Sequence, residues 1–175
     1  MKGFTLIEII FAVGIFLILV LAIFAVMNVG IGAWFSSDVS VQLRQDIIKA
    51  FTIMEKELKE TRPASAQIDL GIDSSSHSLR FKIPQDGGDP DDTILNPSGN
   101  IEWSGNITYA LNGANEITRT ASGATSVLAR NIVNLQFTRP ASPVNLLQID
   151  ITARKVSAQR RTIQDVGQIT IKMRN

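Results

Sequence analysis

Three groups of residues in this chain are of types that could do chemistry. The first is Glu8, a lone carboxylate at the front of an apolar run; the 19 residues from Ile9 to Met27 carry no charge. An unpaired carboxylate beside hydrocarbon is costly, so an ionisable group in such a place marks function and calls for a partner of opposite charge. The second is His77, the single histidine, set among hydroxyls and an acid in Asp73-Ser-Ser-Ser-His-Ser. These are the types of a nucleophilic triad, but a triad is defined by geometry rather than by adjacency. A Ser-rich surface loop is the reading for this segment. The third is Asp86, Asp89, Asp91 and Asp92 in "QDGGDPDDT". Hard oxygen ligands on one loop suit calcium. Twelve-residue loops counted from Asp86 or Asp89 end at Pro97 or Asn100, however, where an EF-hand needs Glu, and Asp-Gly-Gly-Asp-Pro is ordinary turn composition. A solvated loop is expected, with no metal site assigned.

Composition removes other chemistries. The chain has no cysteine, so disulfides, thiolate catalysis and Cys-type zinc sites are excluded together. It has no GxSxG, no phosphate-binding glycine loop and no metal-spaced His/Glu pair. No catalytic residue and no cofactor is assigned, and the chain is read as not an enzyme, with no small-molecule substrate. A net charge of +1 implies no strong overall attraction to nucleic acid or anionic lipid. Arg160-Arg161 alone is a weak basic signal, and no basic, aromatic-lined surface for nucleic acid is found.

The elements that must position Glu8 follow from periodicity. About 20 apolar residues cross a bilayer core, and residues 4–35 hold a single charge, Glu8. Lys2 ahead of this run favours a cytoplasmic N-terminus. Trp34 falls near the far interface, where tryptophan is favoured, or packs between helices. Beyond the run, Val39, Leu43, Ile47, Phe51, Met54 and Leu58 recur at spacings of four and three, one apolar stripe on an amphipathic helix. Glu55 and Lys59 have the spacing and order of a helical ion pair. Arg62-Pro63 ends the pattern. One helix over 4–61 is predicted, about 85 Å long.

After Pro63 the period changes to two. Residues 79–83, 107–111, 116–120, 133–138, 147–153 and the C-terminal Ile169, Ile171 and Met173 read as strands. Asn112-Gly-Ala-Asn115 reads as a hairpin turn, and residues 84–105 as a long loop. Trp103 and Tyr109 are expected in the core or in a hairpin. Four to six antiparallel strands should cover the helix stripe, because neither can bury its apolar face alone. The fold class is α+β: a long N-terminal α-helix, transmembrane in its first half and amphipathic in its second, packed on a C-terminal antiparallel β-sheet domain. The divisions are 1–3, 4–35, 36–62 and 63–175.

Gly3-Phe4-Thr5-Leu6-Ile7-Glu8, followed by the long apolar helix, resembles the class III signal of type IV pilins and type II secretion pseudopilins. The likeness runs over six consecutive positions. It implies a 1–3 leader, cleavage between Gly3 and Phe4 by prepilin peptidase, and methylation of the new Phe4 amine. It also implies assembly through Glu8 of one subunit and the Phe4 amine of a neighbour. The amphipathic helix, "NIVNLQFTRPASPVNLLQIDITA" and "ITIKMRN" are most similar to J-type minor pseudopilins and W-type minor pilins. Two departures from major pilins favour a minor subunit: the apolar segment has no proline, and there is no C-terminal cysteine pair.

The resemblance implies a minor pilin or pseudopilin at the tip or initiation complex of a type II secretion pseudopilus. The alternative is a minor pilin of a type IV pilus or competence system. The implied partners are other subunits through their N-terminal helices, prepilin peptidase and an inner-membrane assembly platform. The implied location is the inner membrane, single-pass, with the C-terminal domain in the periplasm, and then a filament. An ordinary anchor with Glu8 reaching to the interface, and a secretory signal ending near Ile31-Gly32-Ala33, are the competing readings. A tip subunit binding its target through residues 73–78 and 84–105 is a further one.

Overall fold

The computed structural model describes residues 5–86, 93–96, 98–157 and 160–174. One helix, α1 (Leu6–Glu60), is followed by eight strands: β1 (Ser74–Ser76), β2 (Ser78–Phe81), β3 (Ile107–Leu111), β4 (Ile117–Ala121), β5 (Ala124–Ala129), β6 (Ile132–Arg139), β7 (Leu146–Val156) and β8 (Thr162–Lys172). The α+β architecture read from the sequence is the observed one: a long N-terminal helix packed on an antiparallel β domain.

The helix runs 55 residues without a break, about 82 Å. It has no internal proline, and its last turn precedes Pro63, which cannot continue it. Its two halves live in different surroundings. From Leu6 to Phe35 the large apolar side chains are exposed, Val20 alone among them being half-buried. From Leu43 onward, Leu43, Ile47, Ala50, Met54 and Leu58 are buried, with Val39 and Phe51 packed at the margin. The stripe expected from the spacing is thus the buried face, extended by Ala50, whose small side chain lets the sheet approach. Glu55 and Lys59 form the expected ion pair at 2.6 Å, exposed and of small energetic weight.

The strands form two four-stranded antiparallel sheets, ordered β1-β6-β7-β8 and β2-β3-β4-β5. This corrects the expectation of four to six strands. The two missed strands lack the apolar alternation that identified the others: β1 is Ser-Ser-Ser, and β5 is exposed over its first four residues. β1 pairs with β6 through Ser74↔Arg139 to Ser76↔Phe137, and β2 pairs with β3 from Ser78 onward. The chain therefore changes sheets at His77. Residues 73–78, read as a loop, are two strand segments joined by a single-residue kink. The 112–115 turn is a hairpin as expected, with Asn112 Oδ1 accepting from the backbone N–H groups of Ala114 and Glu116 at 2.9 Å. The described part of 84–105 holds only isolated bridges, Pro84↔Trp103 and Leu95↔Ile101.

The core lies between the α1 stripe and the inner faces of both sheets. Leu135, Phe137, Leu147, Ile149, Ile151 and Ala153 supply the β6–β7 layer, and Leu79, Phe81, Ile107, Tyr109 and Ile117 the other. β8 lies along α1, and Gly167 faces the helix at Ile47 and Phe51. A Cβ there would sit 2.6 Å from Ile47 Cγ2 and 2.8 Å from Phe51 Cε2. A side chain here would have to displace Ile47 or Phe51 for β8 to keep its place on the helix. Gly167→Val is therefore expected to destabilise the domain by about 1–3 kcal/mol through overpacking. Denaturant unfolding of the full chain in detergent micelles measures it, and an unchanged midpoint would contradict this packing.

Candidate functional site

The functional candidates lie along α1. Thr5 caps the helix in extended conformation, and Glu8 sits in the first turn, where a negative charge complements the helix dipole. Glu8 is exposed, and its carboxylate has no hydrogen-bond or ion-pair partner among the described residues. Gly3 and Phe4 lie outside the described residues. The helix from Leu6 is long and apolar enough to cross a membrane by length and composition, and its most apolar stretch is wholly unburied. Trp34 is 77% exposed, on the same unpartnered half.

Where α1 enters the domain, a cluster that the sequence reading missed ties it to β3 and β4. Glu57 accepts hydrogen bonds from the Tyr109 hydroxyl and from Arg119 Nε at 2.9 and 3.1 Å, and pairs with Arg119 Nη2 at 2.8 Å. Tyr109 is fully buried, its ring 5.2 Å from that of Phe81. Burial, then the Glu57 hydrogen bond, push the Tyr109 hydroxyl well above the usual phenol range; Glu57 likewise raises Arg119. The signal was present in the spacing. Leu43, Ile47, Ala50, Met54 and Glu57 follow one another at four, three, four and three, so Glu57 is a carboxylate within the buried stripe. Such a group needs partners across the interface.

A second buried polar group, Arg139, ends β6. Its Nε donates to the Val144 carbonyl at 3.0 Å, Nη1 to Leu70 at 2.9 Å and Nη2 to Pro63 at 2.5 Å. Burial lowers its pKa from the ordinary arginine value. It fastens the loop after α1 to the β6–β7 connection, below a surface cleft of about 390 Å³.

The remaining sequence candidates separate. His77 Nδ1 donates to the Leu135 carbonyl at 2.8 Å, a link between the sheets; among the described residues no serine hydroxyl is hydrogen-bonded to its ring. Asp86 is half-buried, while Asp89, Asp91 and Asp92 lie outside the described residues. Among the described residues no group of three or more His, Asp or Glu side chains gathers as metal ligands would. Trp103 is half-buried beneath the Arg62 guanidinium, 6.0 Å from the ring centroid, and Tyr109 is in the core as expected.

One gathering of charge appears only in three dimensions. The β7–β8 pairing sets Arg154 opposite Gln164, Lys155 opposite Ile163 and Val156 opposite Thr162, bringing Arg154 and Lys155 to the hairpin tip that carries Arg160 and Arg161. No family model, curated protein or solved structure matches this chain.

Tyr109 is the only tyrosine, so phenolate absorbance reports it directly. Its pKa is raised on folding, so its contribution to stability is present below the ordinary phenol value near 10 and is lost as pH rises above it. The folded chain is expected to show no phenolate until alkaline unfolding, and Tyr109→Phe should flatten the stability decline above about pH 10. Phenolate forming reversibly near the free-tyrosine value without unfolding would refute the Glu57–Tyr109 contact.

Proposed function

We propose that this chain is a structural subunit of a type IV pilin-like filament, specifically a minor pseudopilin of a type II secretion pseudopilus, acting in its tip or initiation complex. One observation carries the reading: a single unbroken helix whose apolar first half is left largely exposed by the described residues, while its second half is locked into a β domain. That division, headed by Gly3-Phe4-Thr5-Leu6-Ile7-Glu8, suits a subunit held first in a membrane and then in a helix-packed filament core. The exposed side chains from Leu6 to Phe35 would exchange lipid for the same segment of neighbouring subunits.

Glu8 gives the exchange its register. Cleavage after Gly3 would create an ammonium group at Phe4 in the same apolar surroundings. Between staggered subunits the carboxylate of one meets the amine of the next. Each charge is costly alone, and pairing offsets much of the desolvation. The pair therefore selects an assembly geometry more than it adds stability. The work is mechanical: the chain would be matured by prepilin peptidase, held in the inner membrane with its β domain in the periplasm, and passed to an assembly platform.

The intact mass and N-terminal sequence of protein recovered from host membranes test this first. A chain starting at methylated Phe4 is expected, and Gly3→Ser should leave it unprocessed. A chain starting near Trp34 would mean a cleaved secretory signal and end the filament reading. Glu8→Ala is expected to be cleaved and inserted normally but to lose stable incorporation into filaments. Normal filament recovery of that variant would sink the pairing mechanism.

A further inference from the structure

β8 is laid out along α1 in a monotonic register. Arg161 borders a surface recess of about 300 Å³ with Asn28, Val29, Gly32 and Ala33. Asp165 Oδ2 lies 3.4 Å from Arg44 Nε, Gly167 rests against Ile47 and Phe51, and Arg174 N–H donates to the Thr61 carbonyl at 3.0 Å. The tip of the β7–β8 hairpin is thus the part of the domain nearest the apolar half of the helix.

The depth of that tip follows from the helix. Residues 6–27 rise about 33 Å, close to the roughly 30 Å thickness of a bilayer's hydrocarbon. Asn28 is the first side chain after Glu8 to carry a strong polar group. If α1 spans a bilayer over 6–27, residues 28–33 lie at headgroup level, and Arg161 lies there with them.

The chemistry of the tip fits that level. Residues 154–164 contain Arg154, Lys155, Arg160 and Arg161 and no Asp or Glu. Arg154, Arg160 and Arg161 are exposed and have no carboxylate partner among the described residues. Lys155 donates to Gln42 Oε1 at 3.2 Å. The nearest acids lie farther from the membrane: Asp165 is engaged by Arg44, and Asp38 accepts from Gln42. Ser157 N–H donates to the Arg161 carbonyl at 2.8 Å and Arg160 N–H to the Ser157 carbonyl at 2.9 Å, with Arg160 at φ 59°. Guanidinium groups bind phosphate oxygens in paired hydrogen bonds, and an anionic leaflet attracts cations held within a Debye length. No aromatic residue interleaves the cations, as a nucleic-acid surface would require.

We propose that the β7–β8 hairpin tip docks on the phosphate headgroups of anionic phospholipids in the leaflet from which α1 emerges, fixing how the β domain sits on the membrane. The inference rests on α1 being membrane-inserted, so its test reads insertion separately. The full chain is reconstituted in vesicles of phosphatidylcholine alone or mixed with phosphatidylglycerol. Because the chain lacks cysteine, a spin label at Val156→Cys, a position 59% exposed, reports the hairpin, and one at Val127→Cys in β5 serves as the distant control. With Trp34 and Trp103 both replaced by Phe, Phe16→Trp inside the 6–27 span supplies a single indole, and its quenching by acyl-brominated lipid reports insertion of α1.

A slow spectral component is expected at position 156 only with phosphatidylglycerol, lost at high salt and absent at position 127. Arg160→Ala with Arg161→Ala should lower the ratio of docked to free hairpin about tenfold or more. Identical spectra at position 156 in both vesicle types, with the position-16 indole quenched, would overturn the docking and leave the membrane reading intact. An unquenched indole at position 16 would overturn both. Inorganic phosphate reproducing the slow component in phosphatidylcholine vesicles would overturn a lipid as the source.

Discussion

Everything in this molecule depends on one helix having to satisfy two environments without a break. A helix that is apolar all round needs an apolar medium on every side, whereas an amphipathic one needs a single covering surface. α1 is the first kind to about Phe35 and the second from Leu43, and the change occurs within a continuous hydrogen-bonded rod. Had a proline or a loop separated the halves, the β domain could tumble relative to the apolar segment. Here its position and rotation are set by the same backbone. The side of the apolar segment that lies beneath β8 is therefore fixed by contacts at Ile47 and Phe51, several turns away.

Two kinds of contact hold the domain to that rod, and they do different work. The apolar stripe supplies non-directional burial, which tolerates sliding. The Glu57–Tyr109–Arg119 cluster does not: a carboxylate on one helix position must meet a phenol and a guanidinium on two adjacent strands. Such part-buried ion pairs add little net stability against an apolar replacement, but leaving one member unpaired is costly. Their contribution is to penalise other registers of helix on sheet. Gly167 acts on the other sheet by sterics, admitting β8 at one place along the helix. Register is thus specified twice, once by charge and once by the absence of a side chain.

The helix, its buried stripe, the Glu55–Lys59 pair, the 112–115 hairpin and six of the strands were legible in the sequence, because each leaves a periodic or turn signature in neighbouring residues. β1 was not, since Ser-Ser-Ser carries no apolar alternation and is a strand only because β6 offers it an edge. The division into two sheets was not either. It turns on His77, one residue whose ring is tied to the Leu135 carbonyl. Glu57 was legible in principle from its place in the stripe, but its partners 52 and 62 residues away were not. The basic hairpin tip was hidden for a related reason. Arg154-Lys155 and Arg160-Arg161 are each a weak signal, and a net charge of +1 averages them away.

Glu8 and Glu57 make the most informative comparison, because they are carboxylates on the same helix with opposite circumstances. Glu57 stands in a stripe that the chain itself covers, and the chain supplies its cation. Glu8 stands in a surface that the chain leaves bare, and no described residue supplies one. A protein that folds both groups on one rod shows what each environment demands: burial by the chain's own domain comes with an internal partner. If the bare half of α1 is buried by something outside the chain, the same physics requires the cation for Glu8 to arrive with whatever does the burying. In the proposed filament, a neighbouring subunit whose helix begins with a free amine would meet both requirements at once, whereas the hydrocarbon of a bilayer meets only the apolar one. In the filament proposed above, the occupant that covers the bare half of α1 would also bring the complementary charge, on its end rather than on its flank.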